Sequence, residues 1–147
     1  MSDLAELYQE IILDHNRSPR NFHEIPDCTC WAEGNNPRCG DEVKVFLRKK
    51  GDRLIEAAFQ GQGCAISRAS ASMMTVKVKG RLVGEVLALS EKVRDMLMGE
   101  KEENLEDLGD LAALSGVRQF PGRITCALLA WHALEKAMDG RHTVGVE

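Results

Sequence analysis

Several features are missing from this sequence of 147 residues. It has no run of 18 apolar residues, so we expect no membrane span and no membrane partner. It has no basic excess, since 23 acidic side chains outnumber 19 basic ones, and binding to nucleic acid is not expected. Its first residues lack a basic segment followed by an apolar one, so no signal peptide is expected. These absences favour a cytoplasmic protein.

The cysteine content also excludes one class of protein. The five cysteines are an odd number, which argues against a secreted scaffold held together by disulfides. A chain of this length buries roughly 68–70% of its unfolded surface and needs no disulfide to build a core. In a reducing cytosol the thiols are available for metal binding or nucleophilic chemistry. The length predicts a single domain over residues 1–147.

The first half of the chain predicts one helix and a small sheet. Apolar residues at helical spacing predict an amphipathic helix from Leu4 that ends near Asn16. Alternating apolar residues predict strands at 28–32, 43–48 and 55–59, with residues 34–41 as a loop. The connections are too short for crossovers, so we expect an antiparallel sheet.

The second half of the chain predicts helices. One helix begins near Ala65, with Ala69, Met73 and Val76 on its apolar face, and its serines keep it narrow. Others are expected at 83–98, at 105–114 and from Pro121 onward. Strands followed by helices indicate an α+β fold, with a small three-stranded antiparallel sheet and helices packed on one face.

Three cysteines fall where loops and helix starts can converge. Cys39 and Asp41 lie in a stretch rich in turn formers, Cys64 follows Gly63 at a helix start, and Cys126 lies early in the last helix. At a helix N-terminus the helix dipole is expected to lower the pKa of the Cys126 thiol. Three thiolates and one carboxylate make a tetrahedral zinc shell. By spacing alone this signal is weak, and burial of each cysteine as a small apolar residue remains the alternative.

Three sequence blocks resemble those of a known family. The blocks are Asn36-Pro37-Arg38-Cys39-Gly40-Asp41, Gly61-Gln62-Gly63-Cys64-Ala65-Ile66-Ser67 and Arg123-Ile124-Thr125-Cys126. Together they resemble the signatures of the IscU/NifU-like iron–sulfur cluster assembly family, over residues 4–138. The chain is more similar to the SufU branch than to scaffold-type members, because Thr125 replaces the histidine before the third cysteine. An insertion ahead of that cysteine, formed by the acidic stretch at residues 100–110 and by residues 111–122, supports the same branch.

The resemblance implies a SufE/NifU-like fold and a zinc-dependent sulfurtransferase. Such a protein accepts persulfide sulfur from a SufS-like cysteine desulfurase and passes it toward a SufBCD-type scaffold. The resemblance implies that Cys39, Asp41, Cys64 and Cys126 bind Zn²⁺, that Cys39 accepts the sulfur, and that Arg123 stands beside the site. The alternative is an IscU-type scaffold that assembles a [2Fe–2S] cluster, with iron, on the same cysteines.

Other features carry weaker signals. Cys28 and Cys30 are expected on one strand face in packing roles, and His15 in a capping or packing role. The hairpin residues Lys44, Arg48, Lys49, Lys50 and Arg53 form either a solvated basic face or a docking surface. Residues 100–110 carry six carboxylates and one lysine, which indicates a solvated acidic loop or a surface that faces a basic partner.

Overall fold

The computed structural model of the chain describes residues 3–99, 105–140 and 143–145. The predicted order of elements, and with it the α+β fold class, is confirmed. The elements in chain order are α1 (Asp3–Arg17), β1 (Cys30–Asn36), β2 (Asp41–Lys50), β3 (Arg53–Gln62), α2 (Ala65–Val78), α3 (Val83–Met98), a 3₁₀ segment (Leu105–Gln119), α4 (Pro121–Met138) and β4 (Thr143–Gly145).

The sheet has the strand order β3-β2-β1-β4. The pairs β1–β2 and β2–β3 are antiparallel, which confirms the predicted three-stranded sheet. The short β4 adds to it, parallel to β1. Helices α2 and α4 pack on one face of the sheet and share its apolar core. A smaller cluster of Ile25, Phe46 and Ala58 covers part of the other face.

The prediction for β1 was wrong in its boundaries. The strand runs from Cys30 to Asn36, and only residues 37–40 form the turn that was expected over 34–41. Gly34 belongs to the strand, where it is paired with Val43, and α4 lies against it: a Cβ at this position would lie 2.9 Å from the Leu129 side chain. This glycine therefore serves a close approach between helix and sheet rather than a turn.

The two cysteines near β1 do not share a face, contrary to expectation. Cys30 lies in the main core, and burial raises the pKa of its thiol. Cys28 precedes the strand and packs half-buried against the smaller cluster on the opposite face. The strand period does not extend to Cys28, which explains the error. The two residues nevertheless have the packing roles expected of them.

Helices α2 and α4 meet through small and polar side chains. The expected position of Val76 on the apolar face of α2 was wrong, because this side chain is 51% exposed while Ser70 and Ser72 are buried. Ser70 Oγ donates a hydrogen bond to the Ala127 carbonyl (2.6 Å) and accepts one from Trp131 Nε1 (3.1 Å). The small serine side chains therefore let a neighbouring helix pack closely against α2, as expected, and Ser70 also hydrogen-bonds to α4.

We expect Ser70→Ala to lower the free energy of unfolding by about 1–3 kcal/mol, because Trp131 Nε1–H is left buried without its acceptor. Urea denaturation followed by circular dichroism measures this loss. The control is Ser67→Ala, since Ser67 is a buried serine of the same helix that makes no side-chain hydrogen bond within the described residues. Equal destabilisation by both substitutions would contradict the role given to Ser70.

The 3₁₀ segment extends further than the predicted 105–114 helix. Gly109 interrupts it at φ 57° and ψ −133°, and the helical turns continue to Gln119. Leu108, Leu111, Leu114 and Val117 of this segment are buried in the main core. The insertion is therefore partly a structural layer rather than only a solvated loop. Residues 100–104, which hold much of the acidic charge, lie outside the described part of the chain.

His15 and the basic hairpin are the two remaining features for which the sequence suggested a role. His15 packs at the end of α1, where Nδ1 lies 2.7 Å from Ser72 Oγ, and burial lowers its pKa. The positive charge of the hairpin is partly neutralised within the chain, because Arg48 forms ion pairs with Glu56 (2.6 Å) and Asp27 (3.4 Å).

Among the residues described, no helix combines the length and apolar character that crossing a membrane requires.

Candidate metal centre

The β1–β2 hairpin positions Cys39 and Asp41. Asn36, the last residue of β1, is paired with Asp41, the first residue of β2. The turn between them is closed by a hydrogen bond from the Cys39 N–H to the Asn36 carbonyl (3.2 Å), with Gly40 at φ 69°. Cys39 is half-buried on this turn, whereas the Asp41 side chain is fully buried.

The carboxylate of Asp41 also fixes the start of α2. Its Oδ1 accepts a hydrogen bond from the backbone N–H of Cys64, the residue that caps the helix (2.8 Å). A Cβ on Gly63 would collide with the same oxygen, so only glycine lets the two chain segments approach this closely. Asp41 thus ties the sheet hairpin to the helix that carries Cys64.

The last helix brings a second thiol to the turn. Cys126 Sγ lies 3.0 Å from Cys39 Sγ, and all cysteines are free thiols. One ligand atom each from Cys39, Asp41 and Cys126 lies within 4.8 Å of the others. Cys64 Sγ lies 4.0 Å from Asp41 Oδ2, at the edge of this group rather than within it. The structure therefore brings three of the four predicted ligands together and places the fourth beside them.

The electrostatics of the group depend on burial. Cys126 is fully buried, and burial, followed by its hydrogen bonds to Asp41 and Cys39, raises the pKa of its thiol. The expectation that the helix N-terminus would lower this pKa was therefore wrong, because burial of the thiol is the largest influence on it. Arg123 is exposed one turn earlier in α4. Its pKa is raised, chiefly by a hydrogen bond to Cys126 and then by the charges of Cys64, Cys126 and Cys39.

The donor set fits zinc. Thiolate sulfur is a preferred ligand of Zn²⁺, a carboxylate oxygen is an accepted one, and four such donors match its tetrahedral shell. The buried thiol of Cys126 and the half-buried thiol of Cys39 lie beside the buried carboxylate of Asp41, and they are unfavourable as anions unless a cation compensates them. Arg123 is exposed and monovalent, so a divalent ion in contact with the sulfurs is the stronger compensation.

We expect Gly63→Ala to displace the Asp41 carboxylate, with a loss of about 1–3 kcal/mol in unfolding free energy from overpacking. Zinc retention in the presence of a competing chelator should fall together with stability. The control is Gly122→Ala, because a Cβ there meets no atom within 4 Å among the described residues. The role of the Gly63 contact would be refuted by wild-type stability and zinc retention in Gly63→Ala.

Asn36 is a polar residue of this site for which the sequence predicted no role. Asn36 Nδ2 donates to Thr125 Oγ1 (3.2 Å) and lies 3.8 Å from Cys126 Sγ. Its position in the first motif block was visible in the sequence. Its proximity to Cys126 was not, because that depends on how α4 crosses the end of β1.

A hairpin turn and two helix starts that gather thiols and a carboxylate on an α+β fold define a small protein with a candidate thiolate metal site. The chain belongs to the NifU-like N terminal domain family, whose model matches residues 7–127. This confirms the family to which the sequence blocks pointed.

Similar proteins carry two kinds of names. The "Zinc-dependent sulfurtransferase SufU" of Bacillus subtilis is 43% identical over 93% of this chain and 92% of its own length. The "Iron-sulfur cluster assembly scaffold protein IscU" of Streptococcus pyogenes is 38% identical over 94% of this chain and 86% of its own. The family therefore includes relatives named for sulfur transfer and relatives named as scaffolds.

Solved structures support the fold. A putative iron–sulfur cluster assembly scaffold protein for the SUF system, from Fervidobacterium islandicum, superimposes with a TM-score of 0.84 at 33% identity, covering 90% of this chain and 97% of the other. The N-terminal part of a NifU-like protein from Brucella abortus gives a TM-score of 0.83, covering 95% of this chain and 96% of the other. At 22% identity the second likeness concerns the fold alone.

Proposed function

We propose that this chain is a zinc-dependent sulfurtransferase of iron–sulfur cluster biogenesis, with Cys39 as the acceptor of sulfur. The observation that carries the proposal is the arrangement of Cys39, half-buried on a turn, against the fully buried Cys126 and Asp41. The 43% identity to a relative named as a zinc-dependent sulfurtransferase supports it.

Cys39, Asp41, Cys64 and Cys126 would hold the metal. When bound, zinc keeps thiol ligands deprotonated at neutral pH, which makes them ready nucleophiles. Asp41 has a second task that needs no metal, because it fixes the start of α2 through the Cys64 N–H. The four residues therefore combine ligand chemistry with the local architecture of the site.

Cys39 is the nucleophile best placed to reach a partner. In the proposed step its thiolate attacks the outer sulfur of a cysteine persulfide on the donor enzyme. A new S–S bond forms at Cys39, the S–S bond of the donor breaks, and the donor cysteine leaves as a thiolate that takes up a proton from solvent. The transferred sulfur keeps its oxidation state, so the step needs no oxidant or reductant. Arg123, exposed beside the thiols, supplies a cation to hold the anionic persulfide.

The partners follow from the direction of transfer. A SufS-like cysteine desulfurase would donate the sulfur, and a SufBCD-type scaffold would receive it. We propose that residues 1–147 act in the cytoplasm as one domain. The exposed turn with Cys39 and the neighbouring Arg123 form the surface that the donor must contact.

Metal analysis of the purified chain, paired with a desulfurase assay, tests this proposal. We expect about one zinc per chain, as a single four-ligand site requires, and faster release of alanine from cysteine when the chain is added to the desulfurase. A coloured protein that carries stoichiometric iron and sulfide and leaves alanine release unchanged would support the IscU-type scaffold instead.

A further inference from the structure

Asn36 occupies a central position in the metal centre although it offers no metal ligand. It is 1% exposed and ends β1. Its carbonyl accepts the N–H of Cys39 and its Cα is paired with Asp41, so its backbone belongs to the hairpin that carries both residues.

The side chain of Asn36 reaches from this hairpin to α4. Nδ2 donates to Thr125 Oγ1 at 3.2 Å and directs an N–H toward Cys126 Sγ at 3.8 Å. A hydrogen bond from an amide to sulfur is stronger when the sulfur is a thiolate than when it is a thiol. One buried amide therefore joins the turn with Cys39 to the helix with Cys126.

The amide of Asn36 makes its polar contacts at one end only, with Thr125 Oγ1 and Cys126 Sγ. Oδ1 is buried and has no hydrogen-bond partner in the part of the chain that the structure describes. An unpaired buried polar atom is uncommon in a folded protein. A side chain with a packing role only would not require a buried polar group at this position, because burying one without a partner costs free energy.

We propose that Asn36 and Thr125 are a pair of positioning residues for the metal centre. The Thr125 hydroxyl holds the Asn36 amide, and the amide N–H holds the Cys126 sulfur. Cys126 is thereby kept as a fixed ligand, whereas Cys39 on the turn is the thiol free to leave the group and react. Neither residue touches the transferred sulfur. The inference rests on the proposed zinc site and deepens it, since it separates the roles of the two sulfurs.

The rate at which the zinc-loaded full chain releases zinc to a chromogenic chelator tests the pair. Thr125→Val removes the hydroxyl and keeps the β-branched shape, so we expect release to accelerate about 10-fold or more, as for lost outer-shell partners of metal ligands. Thr125→Ser keeps the hydroxyl and should restore slow release. Urea denaturation of each metal-free variant reports whether a change in release reflects lost folding.

A double-mutant cycle distinguishes positioning from packing. Asn36→Ala should accelerate release by about 10- to 100-fold. Because Thr125 acts through Asn36, the double variant with Asn36→Ala and Thr125→Val should release zinc no faster than Asn36→Ala alone. Independent packing roles would instead give effects that multiply.

Two results would overturn the inference while the proposed function stands. The first is that Thr125→Val releases zinc as slowly as Thr125→Ser. The second is that the effects of Asn36→Ala and Thr125→Val on the release rate multiply in the double variant. A wild-type chain that binds no zinc would overturn the proposed function, and the positioning pair with it. The Thr125 comparison remains decisive if Asn36→Ala fails to fold.

Discussion

Replacing Cys39 by serine is expected to abolish sulfur transfer. The part of alanine release that depends on the chain should fall by on the order of 10³-fold or more, so that total release equals the rate of the desulfurase alone. A serine hydroxyl is not ionised at neutral pH and is a far weaker nucleophile toward sulfur than a thiolate. The measurement is alanine release with increasing amounts of the variant, together with the sulfane sulfur bound to the chain.

The control for this substitution is Cys28→Ser. Cys28 is half-buried against the smaller cluster, on the face of the sheet opposite the helices. Removal of its thiol should leave sulfur transfer unchanged. Stimulation by Cys39→Ser at the wild-type level would refute the acceptor role and direct attention to Cys64, the other half-buried thiol of the site.

The second large effect is expected at Asp41, whose two tasks can be separated by substitution. Asp41→Asn keeps an oxygen able to accept the Cys64 N–H but removes the charge. We expect it to fold with near wild-type stability and to weaken zinc binding by on the order of 100-fold or more, beyond the typical effect of an outer-shell change. Asp41→Ala should weaken zinc binding as much as Asp41→Asn does. It should also lower the free energy of unfolding by about 0.5–2 kcal/mol, because the Cys64 N–H at the start of α2 loses its acceptor.

Chelator competition for zinc affinity and urea denaturation of the metal-free variants measure the two losses separately. If Asp41→Asn binds zinc as tightly as the wild type, the carboxylate is no ligand and its role is confined to the start of α2. If Asp41→Ala matches Asp41→Asn in stability, the hydrogen bond to Cys64 contributes little to folding.

The fold class was predictable because local patterns and tertiary packing agree over most of the chain. The inward row of Val43, Val45 and Leu47 in β2 has a strand period, and the helices after Gly63 have clear ends at Gly80 and Gly99. Where the local sequence pattern and the tertiary packing disagree, the prediction failed. Gly34 reads as a turn former, yet it is needed where Leu129 of α4 packs on β1. Val76 fits a helical stripe, yet serines occupy the buried side.

The candidate site was predictable in composition but not in geometry. The three sequence blocks indicated Cys39, Asp41, Cys64 and Cys126, and the structure gathers three of them within 4.8 Å. The sequence could not reveal that burial raises the pKa of Cys126, because this depends on what packs around the first turns of α4. The contact of Asn36 with Cys126 could not be predicted either, because it depends on how α4 crosses the end of β1. No pattern in the neighbouring sequence indicates that crossing.

In the proposed function, Cys39 is the residue that receives the sulfur. The most direct test of this role is mass spectrometry of the chain after incubation with a SufS-like desulfurase and cysteine in the absence of reductant, with the modified residue located by peptide mapping. We expect an added mass of one sulfur atom on the peptide that contains Cys39, and no added mass on the same peptide of Cys39→Ser. Wild-type chain without added sulfur, or with the sulfur on another cysteine, would contradict this role.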